Sequence, residues 1–244
     1  MAKVNAIIKK IEQFAPLETT QEWDNSGWQI NLGNKDTKRI MLTLDITPKT
    51  IDDAVKEHCD LIISHHPLFF NSIKSIKEPF IIKAIQNNIQ IYSAHTNLDI
   101  AKGGMSDTLA EKCGFTTTKS ILDFVRIAKF KTPKEFSKLI AHLKKEFNIK
   151  ALKVTNPKRK TYTSIAFCAG SGAEFIPELE KRDIEVYITG DVKHHIALEA
   201  NNMTVIDITH QKSEKFAVEI LEKIINNKDV EIIKSEEKLA WELI

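Results

Sequence analysis

The chain has 244 residues, 42% of them hydrophobic and 28% charged, with a formal charge of +2. Such a balance suits a globular protein with one large core or two modest ones, and leaves no cationic excess for nucleic-acid phosphates. Cys59, Cys113 and Cys168 are too scattered for a disulfide frame or a C-x-x-C zinc knuckle, and no apolar run is long enough to span a bilayer.

From the amino terminus, Val4, Ile7, Ile8 and Ile11 recur at helical spacing, and Pro16 ends the segment. Met1 to Phe14 lacks the apolar centre of a signal peptide, so the expected address is the cytoplasm, with no membrane partner. Glu22 to Ile30 is a polar turn between Trp23 and Trp28. It reads as a turn pinned by buried aromatics in preference to a substrate-contacting loop. Ile40 to Leu44 reads as a strand ending at Asp45, Pro48 to Val55 as a helix, and Leu61 to Ser64 as a second strand. His65-His66-Pro67 closes that strand, because proline ends the ladder and lets the chain turn both imidazoles toward one cavity. A helix over 79–86 leads to the strand Ile89 to Ala94, which delivers His95-Thr96-Asn97-Leu98-Asp99. Gly103-Gly104 then breaks the chain before a helix through Ala110.

A second unit is expected from about Ile121. Phe124 to Phe130 reads as a strand, and Thr132-Pro133-Lys134-Glu135 as a capped helix start leading to Phe147. Lys150 to Val154 reads as a short strand. Three further strands then repeat the first half: Ile165 to Ala169 ending in Gly170-Ser171-Gly172, Val186 to Thr189 followed by Gly190-Asp191 and His194-His195, and Met203 to Ile208 followed by Thr209-His210. The alternation of strand and helix predicts an α/β fold: two similar three-layer α/β/α domains with mixed sheets, related by internal duplication and facing a shared cleft. The expected division is 1–120, with the tail 230–244, and 121–229. Sites in such sheets form outside the carboxyl ends of the strands.

Six of the eight histidines follow predicted strands. Together with two carboxylates they suggest five metal ligands: His65, His66, Asp99, His210 and Glu214. His210 and Glu214 share a face if a helix begins by His210; if Ser213 caps that helix the argument weakens. Three imidazoles and two carboxylates suit zinc, iron, manganese, cobalt or nickel, and a bridging Glu214 would let five side chains serve two divalent ions. The duller alternative for each residue is a hydrogen-bonded histidine at a strand end or a carboxylate capping a helix.

Trp23-Asp24-Asn25-Ser26-Gly27, Ser64-His65-His66-Pro67, His95 to Asp99 with Gly103-Gly104, Thr189-Gly190-Asp191 with His195, and His210 to Glu214 occur in that order. Together they resemble the NIF-three-like family, often labelled GTP cyclohydrolase I type 2 homologues, in its short form without an inserted domain. The resemblance implies a two-metal cleft and a homohexamer. It places His66 and Asp99 on one ion, His65 and His210 on the other, and Glu214 across both. His95 and His195 would contact substrate or shuttle protons. Where many members carry glycine before the last histidine, this chain has Thr209, whose branched side chain argues against positive φ there. The implied function is metal-dependent hydrolysis of a small molecule or nucleotide, with opening of the guanine ring of GTP and release of formate as the narrower version. The alternative is a non-catalytic protein that binds iron or a cofactor precursor.

Overall fold

The computed structural model describes residues 1–71 and 73–236. Among the described residues its contacts divide the chain into two units, one holding Met1–Gly104 and residues 216–236, the other holding Met105–Lys215. The sequence suggested divisions near 120 and 229. The return at Phe216 has a clear cause. Helix Ala217–Ile225 carries an apolar stripe that packs on helix Val4–Phe14 and on strand Arg39–Thr43, and Lys10 Nζ donates to the Ile225 carbonyl at 2.6 Å. Residues 237–244, expected to close the first unit, lie outside the described residues.

The first unit is built on a five-stranded sheet in the order Glu231–Lys234, Arg39–Thr43, Leu61–Ser64, Gln90–Ser93, Gly27–Ile30. The first four strands are parallel and the last is antiparallel to its neighbour. Both faces are covered, so the central strands read as unbroken apolar runs. Met41, Ile62 and Ile91 lie in one register and pack with Ile51, Ala54, Ile81 and Ala84, the inner residues of helices Pro48–Lys56 and Pro79–Gln86. Leu42, Ile63 and Tyr92 occupy the next register and therefore the opposite face, where Tyr92 Oη donates to Glu12 of the first helix at 3.0 Å. Each such fully buried side chain contributes about 1.5–3 kcal/mol by leaving water.

The second unit carries a six-stranded sheet in the order Lys119–Ile121, Val125–Glu135, Thr161–Phe167, Val186–Thr189, Thr204–Asp207, Lys153–Val154. Its three central strands are parallel and consecutive, as are Arg39–Thr43, Leu61–Ser64 and Gln90–Ser93 in the first unit. This shared triplet is the duplicated element, and the two mixed α/β units have the expected fold class.

One local expectation fails. Thr132 to Glu135 is not a helix start but the end of strand Val125–Glu135, and the helix is Phe136–Glu146. Lys134 and Glu135 pair with Tyr162 and Thr161, while Ser164 pairs with Lys129, so the ladder breaks opposite Thr163. Pro133 sits in that irregular stretch, where its missing N–H removes no regular ladder bond.

Candidate metal centre

In the first unit the histidine tandem begins directly after strand Leu61–Ser64, and the ladder continues through it. His65 N donates to the Thr43 carbonyl at 3.1 Å and His66 N to the Leu44 carbonyl at 3.0 Å. The buried Ser64 and Ser93 hydroxyls both bond the His66 carbonyl, at 2.7 and 3.3 Å, which fixes the turn before Pro67. The two rings lie 5.0 Å apart, and His95 comes within 5.2 Å of His65 and 5.4 Å of His66. A ring nitrogen from each of the three lies within 4.8 Å of the others, a grouping that could hold a metal ion. Asp99 lies on helix Thr96–Ile100, with Oδ1 3.6 Å from His65 Nε2. Thus the structure sets His65 beside that carboxylate.

Each ring is oriented through Nδ1. His65 Nδ1 donates to the Ala94 carbonyl at 2.8 Å, His66 Nδ1 to Asp45 at 2.7 Å, and His95 Nδ1 to Asp24 at 2.7 Å. An imidazole whose Nδ1 is committed in this way presents Nε2 as the electron-pair donor, the usual arrangement behind a metal-bound histidine. Asp24 is itself well braced, accepting from Ser26 Oγ and Thr96 Oγ1, both at 2.7 Å. Burial acts to raise its pKa, but hydrogen bonds from His95, Ser26 and Thr96 and the His95 charge outweigh that, holding the carboxyl well below the usual range.

The aspartate bonds, rather than buried indoles, hold the Glu22 to Ile30 turn. Trp23 is 64% exposed, which corrects the expectation of two buried aromatics; only Trp28 packs inward, edge-on to Tyr92 at 5.4 Å.

In the second unit, helix His210–Glu214 begins at the histidine, so the residues four apart share a face and His210 Nε2 lies 2.8 Å from Glu214 Oε2. Ser213 is inside the helix and its hydroxyl donates to the His210 carbonyl at 2.7 Å. His210 Nδ1 donates to Asp191 at 2.8 Å, repeating the pattern of the first unit. Glu214 is buried against Gly170, where an added Cβ would come within 2.2 Å of its Oε1. Gly190 fits as closely under the helix, its imagined Cβ only 2.7 Å from the His210 nitrogen. These two glycines make room for the histidine and the carboxylate; a phosphate-binding role is not needed to explain them.

Thr209 corrects another expectation. It adopts φ +71° and ψ 152°, a region that a branched side chain avoids. Two bonds over-determine it: its N–H donates to Asp207 Oδ1 at 2.8 Å, and its carbonyl accepts from Ser213 N at 3.1 Å. His195 is exposed on helix His194–Ala197, and among the described residues no hydrogen bond or ion pair joins it to His210 or Glu214.

Asp24, Asp45 and Asp191 were not singled out as functional from the sequence. The available signal was position: Asp45 and Asp191 each follow a parallel strand by two residues, and Asp24 lies in the polar turn. The thiols are uninvolved: Cys59, Cys113 and Cys168 are buried, and burial raises the Cys59 pKa to about 12. Among the described residues no helix is long and apolar enough to cross a membrane.

Known proteins resemble this chain in sequence and fold. A "GTP cyclohydrolase 1 type 2 homolog" of Clostridium acetobutylicum is 32% identical over 91% of this chain and 88% of its own. The solved structure "Reduced HcgD from Methanocaldococcus jannaschii" is 31% identical, with a TM-score of 0.85 over 97% of this chain and 98% of that one. A Bacillus cereus protein related to NIF3, 20% identical, shares the fold with a TM-score of 0.87 over 100% of this chain and 99% of its own. The pattern of the Duf34/NIF3 (NGG1p interacting factor 3) family matches residues 2–239, and the chain belongs to that family.

Proposed function

We propose that this chain is a dinuclear divalent-metal protein that hydrolyses a small molecule or nucleotide. The observation that carries the reading is the common Nδ1 bond to an oxygen acceptor in His65, His66 and His210, which directs Nε2 of each as a ligand atom. Nitrogen and carboxylate donors without thiolate fit zinc, iron, manganese, cobalt or nickel.

His210 and Glu214 are two ligands, fewer than the three that hold a catalytic zinc, and the proposal counts them with His65, His66 and Asp99 as the five ligands of the two ions. His65 and Asp99 would share one ion, and His66, His210 and Glu214 would be the further ligands of the pair. The first pairing follows the 3.6 Å approach of His65 to Asp99. When bound, the ions supply Lewis acidity and a water made acidic near neutral pH.

The remaining work falls to side chains. The ionised Asp24 carboxylate keeps a proton on His95 Nδ1, so His95 Nε2 can accept a proton from the reacting group and return it to the leaving group. His195, on the solvent side of its own unit, is assigned the second proton transfer. The printed name of the Clostridium relative puts opening of a GTP ring within this reaction class, and assembly as a homohexamer belongs to the same proposal.

Elemental analysis of protein purified without a chelating column tests the first step, with two ions per chain expected. Glu214→Gln should reduce turnover far more than metal content; an equal loss of both, or metal below one ion per chain in the wild type, would overturn the reading. Release of formate from GTP checks the narrower reaction.

A further inference from the structure

Two large aromatic side chains stand in solvent beside His95. Trp23 is 64% exposed and Phe70 is 51% exposed. Both nevertheless have defined positions: their ring centroids lie 6.1 and 5.8 Å from that of His95, each nearly perpendicular to it. Their segments are tied together by side chains. Phe69 N donates to Gln29 Oε1 at 3.1 Å, and the Phe69 carbonyl accepts from Asn25 Nδ2 at 2.7 Å. Gln29 Nε2 in turn donates to the Asn25 carbonyl at 2.6 Å. Both backbone groups of Phe69 are thereby spent on the turn that carries Trp23. That turn also directs Trp28 inward onto Tyr92, so the same short segment half-buries one indole and presents the other.

Braced, exposed aromatics next to a proton-carrying histidine are poorly explained by folding alone, since neither ring gains much from its own burial. We propose that Trp23 and Phe70 form a stacking surface for a planar heteroaromatic ring of purine or pterin size, and so set the substrate class of the site around His95. Indole and phenyl faces offer a π-surface to any such ring, whereas a sugar phosphate or an aliphatic acid gains little from them. The inference deepens the function proposed above and rests on it for the reaction, though not for binding.

The test uses the metal-loaded full chain and three probes: GTP, neopterin, and inorganic triphosphate as the partner without a ring. GTP and neopterin should quench tryptophan emission and bind by calorimetry, and triphosphate should bind at least tenfold more weakly. Trp23→Ala and Phe70→Ala should each weaken ring binding about tenfold, with metal content and circular dichroism unchanged. Trp23→Phe should keep most of the affinity while losing the quench. Equal binding of GTP and triphosphate, absence of binding by both ring probes, or wild-type affinity in the alanine variants would overturn the inference. So would alanine variants that fall to a smaller assembly, because the rings would then belong to a subunit contact. Two bound ions without ring binding sinks this inference alone; ring binding without metal sinks the proposed hydrolase and leaves the stacking surface standing.

Discussion

The chain contains two His-His tandems, each downstream of the middle strand of a parallel triplet, and they meet opposite fates. His65 and His66 follow strand Leu61–Ser64 with no intervening residue, and their backbone N–H groups still belong to the ladder. His65 is fully buried, and both rings are steered by acceptors on Nδ1. His194 and His195 are separated from strand Val186–Thr189 by four residues, 190–193, and open a short helix in solvent. The second unit instead places its histidine one strand later, at His210, beside Glu214. A duplicated scaffold therefore repeats the position of a site, the carboxyl ends of its strands, without repeating the residues that occupy it. Of the two tandems, the one whose backbone the sheet still holds has its rings steered by acceptors, and the other opens into solvent.

The largest effect that could break this comparison comes from exchanging the tandems' histidines separately. His65→Ala should remove most bound metal by elemental analysis, and His195→Ala should leave metal content unchanged while lowering turnover by roughly 10²-fold. Equal metal loss in both would show that burial and Nδ1 anchoring do not distinguish them.

A smaller effect sharpens the same point inside the second unit. Gly170→Ala puts a methyl where Glu214 Oε1 lies, at a residue with φ +64°, so metal content should fall and stability drop by at least about 1 kcal/mol. The reverse exchange, Thr209→Gly, relieves a strained φ and should raise stability by about 1 kcal/mol once the greater freedom of unfolded glycine is counted. Chemical denaturation of both variants checks the pair, and a stabilised alanine variant or a destabilised glycine variant would contradict it.

The smallest effect lies away from the histidines. Burial acts to raise the pKa of Glu185, but bonds from Thr163 and Ser164 and the charge of Arg159 outweigh it, so its folded pKa is lowered. Between that value and the ordinary glutamate value of about 4.3, the unfolded chain binds more protons, so stability rises with pH. The contribution is complete above that ordinary value and is lost as pH falls through the folded one. Denaturation midpoints of Glu185→Gln and the wild type should differ at pH 7 and converge in acid, with metal content alike throughout. A gap that widens in acid would reverse the sign.

Much of the first unit was legible residue by residue. The period of Val4, Ile7, Ile8 and Ile11 marked a helix face, and the bounds of Leu61–Ser64 and Pro79–Gln86 were read directly because proline and polar residues punctuate short apolar runs. The four-residue spacing of His210 and Glu214 likewise carried their shared face, since the helix begins where the spacing required. Thr132 to Glu135 was misread because Thr-x-x-Glu describes a local capping preference, whereas pairing with Thr161 and Tyr162 is non-local and stronger. Thr209 was misread for a related reason: local sterics oppose positive φ, but Asp207 and Ser213 hold it there.

The amino-acid order by itself determined which elements form, which residue types end the strands, and which of them are of the kind that can hold a metal ion, because periodicity, punctuation and donor identity are properties of short stretches. Only the tertiary structure decided that Asp24, Asp45 and Asp191 orient the imidazoles, that His65 stands beside Asp99, and that Trp23 faces solvent beside His95. The aspartate bonds join groups 19 to 71 positions apart, and no local pattern encodes such meetings.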